Sequence, residues 1–104
     1  MATRAALFTQ NDDGSWLQTY VHYDGYPTHM QPALAKADPE AIRAQGFIRQ
    51  IREDGTLDIF HDGRAPSWSR DPEMPSWADH AYVLTATGWR HVRYQTELDA
   101  VTAA

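Results

Sequence analysis

The sequence predicts an α+β fold: an antiparallel sheet built from about three hairpins, with two or three short helices on one face. Two observations carry that expectation. Runs rich in aromatic and β-branched residues alternate with turn-forming clusters at Asn11-Asp12-Asp13-Gly14, Glu53-Asp54-Gly55 and Ala86-Thr87-Gly88, the pattern of successive hairpins. Between them stands a helix-start signature, Asp38-Pro39-Glu40, which combines an N-cap acid, a proline at the first helical position and an acid in the first turn.

In chain order, residues 5–9 and 16–23 form the first hairpin. Side chains alternate along its second strand, so Trp16, Gln18, Tyr20 and His22 share one side and Leu17, Thr19, Val21 and Tyr23 the other, the second set being the expected core face. Asp24-Gly25-Tyr26-Pro27 ends the strand, because Gly tolerates unusual backbone angles and Pro pushes the residue before it towards extended geometry. Thr28 and Gln31 have capping-box spacing, which predicts a short helix towards Lys36 with Pro32 near its first turn. A second helix starts at Asp38 and stops by Gly46. Residues 47–52 and 56–60 form the next hairpin, with Leu57 and Ile59 on one side of the return strand.

Residues 64–78 hold three prolines and two tryptophans, too Pro-rich for a helix and too irregular for a strand, so an ordered aromatic loop is expected there. Pro66-Ser67-Trp68 recurs as Pro75-Ser76-Trp77, but one tripeptide echo does not make a repeat architecture. Residues 82–85 and 89–94 form the third hairpin, and residues 96–101 a capped terminal helix.

At 104 residues the chain fits a single domain, 1–104, able to bury roughly 60–70% of its unfolded surface in one modest core. Its 42% hydrophobic and 12% aromatic content marks a folding chain rather than a disordered one. With 14 acidic against 9 basic side chains the net charge is -5, which opposes direct binding along nucleic-acid phosphates. The absence of Cys removes disulfides, thiolate catalysis and Cys-ligated zinc, and is easiest to reconcile with the cytoplasm. No segment approaches the ~20 apolar residues that a membrane span requires, and the N-terminus lacks a secretory apolar region.

Two sets of residues could carry a function. His22 and Asp24, with His61 and Asp62 at another strand end, could place imidazoles and carboxylates together for metal-dependent or histidine-based hydrolysis. The spacing matches no zinc motif, and no Gly-x-Ser-x-Gly elbow or phosphate loop is present, which weighs against an enzyme and implies no metal or cofactor. The second set is Tyr26, Trp68 and Trp77 with the carboxylates Asp24, Asp71 and Glu73, since Trp and Tyr are the rings that most often anchor protein interfaces. Against this stands a simpler role for Trp68 and Trp77 as lids on the core. Likewise Tyr26 could pack inward, with the Asp-Gly-Tyr-Pro turn serving only to fix strand-to-helix geometry.

The stretch Tyr20-Val21-His22-Tyr23-Asp24-Gly25-Tyr26-Pro27 resembles a Tyr-x-His-x-Asp-Gly-Tyr-Pro signature of small, mostly uncharacterised bacteriophage and prophage proteins. Phe60-His61-Asp62-Gly63-Arg64 is similar to an aromatic-His-x-Asp-Arg pattern in that group, and residues 82–92 to a late strand-turn-strand around Trp89. The chain departs from the group at Thr28-His29-Met30, where an acid and Gly usually follow the Pro. The resemblance implies a mobile-element origin and no particular activity. By analogy with small phage proteins, it suggests an accessory protein that binds and modulates or inhibits a host protein, such as a nucleic-acid-handling or CRISPR-type defence complex.

Overall fold

The computed structural model describes residues 2–60 and 64–103. Along the chain these form β1 (Ala5–Gln10), β2 (Trp16–Val21), α1 (Pro27–Lys36), α2 (Pro39–Arg43), β3 (Phe47–Ile51), β4 (Leu57–Ile59), β5 (Ser67–Ser69), β6 (His80–Thr85), β7 (Gly88–Val92) and α3 (Gln95–Thr102). The α+β class is as expected, and all seven strands join one sheet in the order β4-β3-β2-β1-β6-β7, with β5 paired to β2.

The sheet is mixed, which corrects the expectation of an antiparallel sheet of three hairpins. β1–β2, β3–β4 and β6–β7 are antiparallel, as their short turns require, but β1 runs parallel to β6 and β2 parallel to β3. Parallel neighbours need a crossover of a dozen or more residues. The two helices α1 and α2 supply it between β2 and β3.

Helices cover both faces rather than one. The middle strands carry unbroken apolar runs, Ala5-Ala6-Leu7-Phe8 in β1 and Ala81-Tyr82-Val83 in β6, and runs of that kind need cover on each side. On the first face Leu7, Val21, Ile48 and Tyr82 pack with Met30, Ala33 and Leu34 of α1 and Ile42 of α2. On the second, Ala6, Phe8, Trp16, Ala81, Val83 and Val92 pack with Leu98 of α3. Both sides of β2 therefore contribute to a core: Thr19 and Val21 are buried on one, Trp16 on the other, while Tyr23, expected inside, is 46% exposed.

Local signals fix most of the boundaries. Asp38 caps α2, its carboxylate accepting the Glu40 N–H at 3.0 Å, with Pro39 at the first helical position. The capping box expected at Thr28 is absent, because α1 starts one residue earlier at Pro27 with Tyr26 as an uncapped N-cap. The segment at 64–78 is not all loop. β5 pairs antiparallel with the first half of β2, through Leu17–Trp68, while β3 takes the second half, through Tyr20 and Val21.

Candidate functional site

The Asp-Gly-Tyr-Pro turn is built into the core. Asp24 adopts a left-handed backbone (φ 57°), which Asp tolerates better than most residues, and its carboxylate accepts a hydrogen bond from the Gln50 side-chain amide. The Gly25 N–H donates to the Thr3 carbonyl at 2.9 Å, and its own carbonyl accepts the buried Tyr82 hydroxyl at 2.7 Å. A Cβ at Gly25 would stand 2.8 Å from both the Ala5 Cβ and the Thr3 carbonyl oxygen, closer than real Cβ atoms approach, so only Gly fits. Burial with no charged partner pushes the Tyr82 phenol far above its ordinary range, so it stays a neutral donor.

Tyr26 does not pack inward: it is 40% exposed, its ring 5.9 Å from that of His29. The His29 Nε2 donates to the Ile51 carbonyl at 2.6 Å, which ties α1 to β3. A shallow depression of about 540 Å³ opens here between Asp24, Tyr26, His29 and the β3–β4 turn at Glu53 and Asp54.

Of the four residues of the hydrolase reading, His61 and Asp62 lie outside the described residues. The other two each have a different partner: the His22 Nδ1 is 2.6 Å from the Tyr20 hydroxyl, and the Asp24 carboxylate accepts the Gln50 side-chain amide. Among the described residues no three His, Asp or Glu side chains converge as metal ligands would.

The residues of the binding reading fall into three places. Trp68, on β5, is 56% exposed, with the Arg70 guanidinium 5.4 Å above its ring and Arg70 paired to Asp13 at 3.8 Å. Asp71 and Glu73 follow it, both exposed. Trp77 lies half-buried against the second core, its ring 4.7 Å from Tyr20. Between them Pro72 is buried, the Met74 N–H donates to Gln95 Oε1 at 2.7 Å, and Gln95 Nε2 donates to the Pro72 carbonyl at 3.2 Å, which fastens the segment to α3. The two tryptophans of the echoed tripeptide thus part company: Trp77 covers core and Trp68 faces solvent. Tyr26 is remote from Trp68, since it follows the C-terminal end of β2 while Trp68 pairs near that strand's start.

Two arrangements escaped the sequence reading. The first is an aromatic shelf on the second face of the sheet, beyond the cover of α3. The parallel register sets Phe47 beside Tyr20, with centroids 4.2 Å apart, and Phe60 stands edge-on to Phe47 at 4.3 Å. Arginines lie over two of these rings, Arg64 at 5.1 Å from Phe47 and Arg49 at 4.6 Å from Phe60. Tyr20, Phe47 and Trp77 line a cleft of about 470 Å³. Alternation put Tyr20 on the Trp16 side of β2, but no local signal announces a parallel partner 27 residues away (47 - 20).

The second is a histidine pair on β6 and β7, with His80 Nδ1 2.9 Å from His91 Nε2. Partial burial holds both pKa values below the ordinary imidazole value, and the neighbouring positive charges add to this: His91 and Arg93 for His80, Arg93 for His91. Both residues lie in the β6–β7 hairpin, but the expected third hairpin began at residue 82 and so left His80 out.

Compared with protein-family models, curated proteins and solved structures, the chain matches none. No helix among the described residues is long and apolar enough to cross a membrane.

Proposed function

We propose that this chain is an accessory binding protein of the bacteriophage or prophage type, which occupies the surface of a host protein and modulates or inhibits it. The observation that supports this reading is Trp68: a large ring, 56% exposed, held by strand pairing rather than carried on a free loop. A ring presented from a strand-paired backbone loses less conformational entropy on binding than one on a free loop, a property that suits an interface anchor. Asp71 and Glu73 beside it, with the overall charge of -5, suit a basic partner surface of the kind that nucleic-acid-handling or CRISPR-type complexes present.

The test is capture from lysate of the host bacterium, followed by purification of the captured protein and measurement of its affinity. Trp68→Ala is expected to weaken that complex by about 30-fold, the ~2 kcal/mol typical of a central aromatic anchor. Replacing Asp71 and Glu73 by Asn and Gln should mainly slow association and flatten its salt dependence. Undiminished affinity of the Trp68→Ala protein would exclude this surface.

A further inference from the structure

Two adjoining clefts differ in chemistry. The first, about 470 Å³, is lined by Tyr20, Phe47 and Trp77 together with Gln18, Ser67 and Arg64, whose guanidinium lies over the Phe47 ring. The second, about 530 Å³, is lined by Arg4, Arg93 and His80. They share Arg4 and Trp77, so they meet at these two residues. The second cleft also holds one carboxylate, Asp79, which accepts the Arg4 backbone N–H at 2.9 Å and keeps its negative charge beside the three basic groups. Both volumes fall within the range of small-molecule sites, roughly 300–1,000 Å³.

We propose that these joined clefts bind a 5′-nucleotide, its base against Tyr20, Phe47 and Trp77 and its phosphate against Arg4 and Arg93. Two requirements of such a ligand are met in one place. A nucleobase wants flat rings to stack on, worth roughly ten- to a hundredfold in affinity per base, and groups such as Gln18 and Ser67 to meet its polar edge. A phosphate a few bonds away wants guanidinium, which meets it with paired N–H donors. The net charge of -5 opposes the wrapping of a long phosphate backbone, but a single nucleotide meets only this local field. The proposal uses neither Trp68 nor a protein partner, so it stands or falls separately from the function above.

The measurement is nuclear magnetic resonance titration of the intact protein, following the Trp77 indole N–H, which is assigned by its loss in Trp77→Phe. The probes are the common ribonucleoside 5′-monophosphates, the matching nucleosides, ribose 5-phosphate and a 5′-phosphorylated trinucleotide. At least one monophosphate or the trinucleotide should shift the Trp77 signal saturably, with a dissociation constant below about 1 mM. Its nucleoside, and ribose 5-phosphate, should each bind about tenfold more weakly or worse. Arg4→Gln with Arg93→Gln, both exposed and both leaving backbone hydrogen bonds intact, should lower nucleotide affinity at least about tenfold while nucleoside binding is unchanged. A trinucleotide about tenfold tighter than the monophosphates would assign the site to a strand end, and equal affinities to a free nucleotide. The proposal is overturned by no saturable shift with any nucleotide, by ribose 5-phosphate binding as well as the nucleotides, or by full affinity in the double arginine variant.

Discussion

The turn after β2 and the segment at 64–78 are both rich in rings, carboxylates and Gly or Pro, and they attach to the sheet in opposite ways. The turn is locked from three sides: Gly25 against Ala5 and Thr3, the Gly25 carbonyl to Tyr82, and Asp24 to Gln50. The 64–78 segment is fixed by Gly46 N–H to the Arg64 carbonyl at 2.7 Å, by the pairing of β5 with β2 and by the links of Pro72 and Met74 to Gln95, yet its β5 strand carries an open indole. The stretch that looked most like a functional motif is therefore mainly architecture. The stretch that looked irregular carries the largest exposed ring of the binding set.

That contrast breaks first at Gly25. Gly25→Ala must push β1 and the turn apart, and overpacking of this kind costs about 1–3 kcal/mol, which we expect at the upper end because the 2.8 Å contacts include a backbone carbonyl. Chemical denaturation measures it, and a loss under about 0.5 kcal/mol would mean that the turn is not locked. Tyr82→Phe comes next. It keeps the ring and removes the donor to Gly25, leaving a buried carbonyl unpaired, for an expected loss of about 1–2 kcal/mol; an unchanged midpoint would show that the turn does not depend on that bond.

Smaller still is the effect of pH through the histidine pair. Both folded pKa values are depressed, so the unfolded chain binds more protons as pH falls below about 6.5. Stability from this pair is thus complete above that pH and declines below it. The informative comparison is the melting temperature from pH 7.5 down to 5 with and without His80→Gln and His91→Gln together. The double variant should show the shallower decline, and parallel curves would remove the pair as a source.

Sequence reading reached what local chemistry decides. The turns at Asn11–Gly14, Glu53–Gly55 and Ala86–Gly88, the Asp38 cap and the three antiparallel pairs all rest on residues within a few positions of one another. It failed where partners are distant. β1 meets β6 and β2 meets β3 in parallel, pairings that no turn residue encodes, although two helices between β2 and β3 are the length a crossover needs. The apolar runs of β1 and β6 were the available sign that both faces would be covered. β5 escaped because Pro66 and Pro72 bracket a strand of three residues, Ser67–Ser69, that is visible only through its pairing with β2. Among the site residues, exposure was foreseeable for neither tryptophan, since Trp68 and Trp77 sit in the same tripeptide and differ only in what the fold lays beneath them.

The smallest expected effect bears most directly on the account. Trp68→Ala, followed by equilibrium urea unfolding beside the parent protein, should leave the free energy within about 0.5 kcal/mol, as truncation of a displayed side chain does. A loss of about 3 kcal/mol, the usual cost of deleting a packed aromatic, would place Trp68 in the core and contradict its role as a presented anchor.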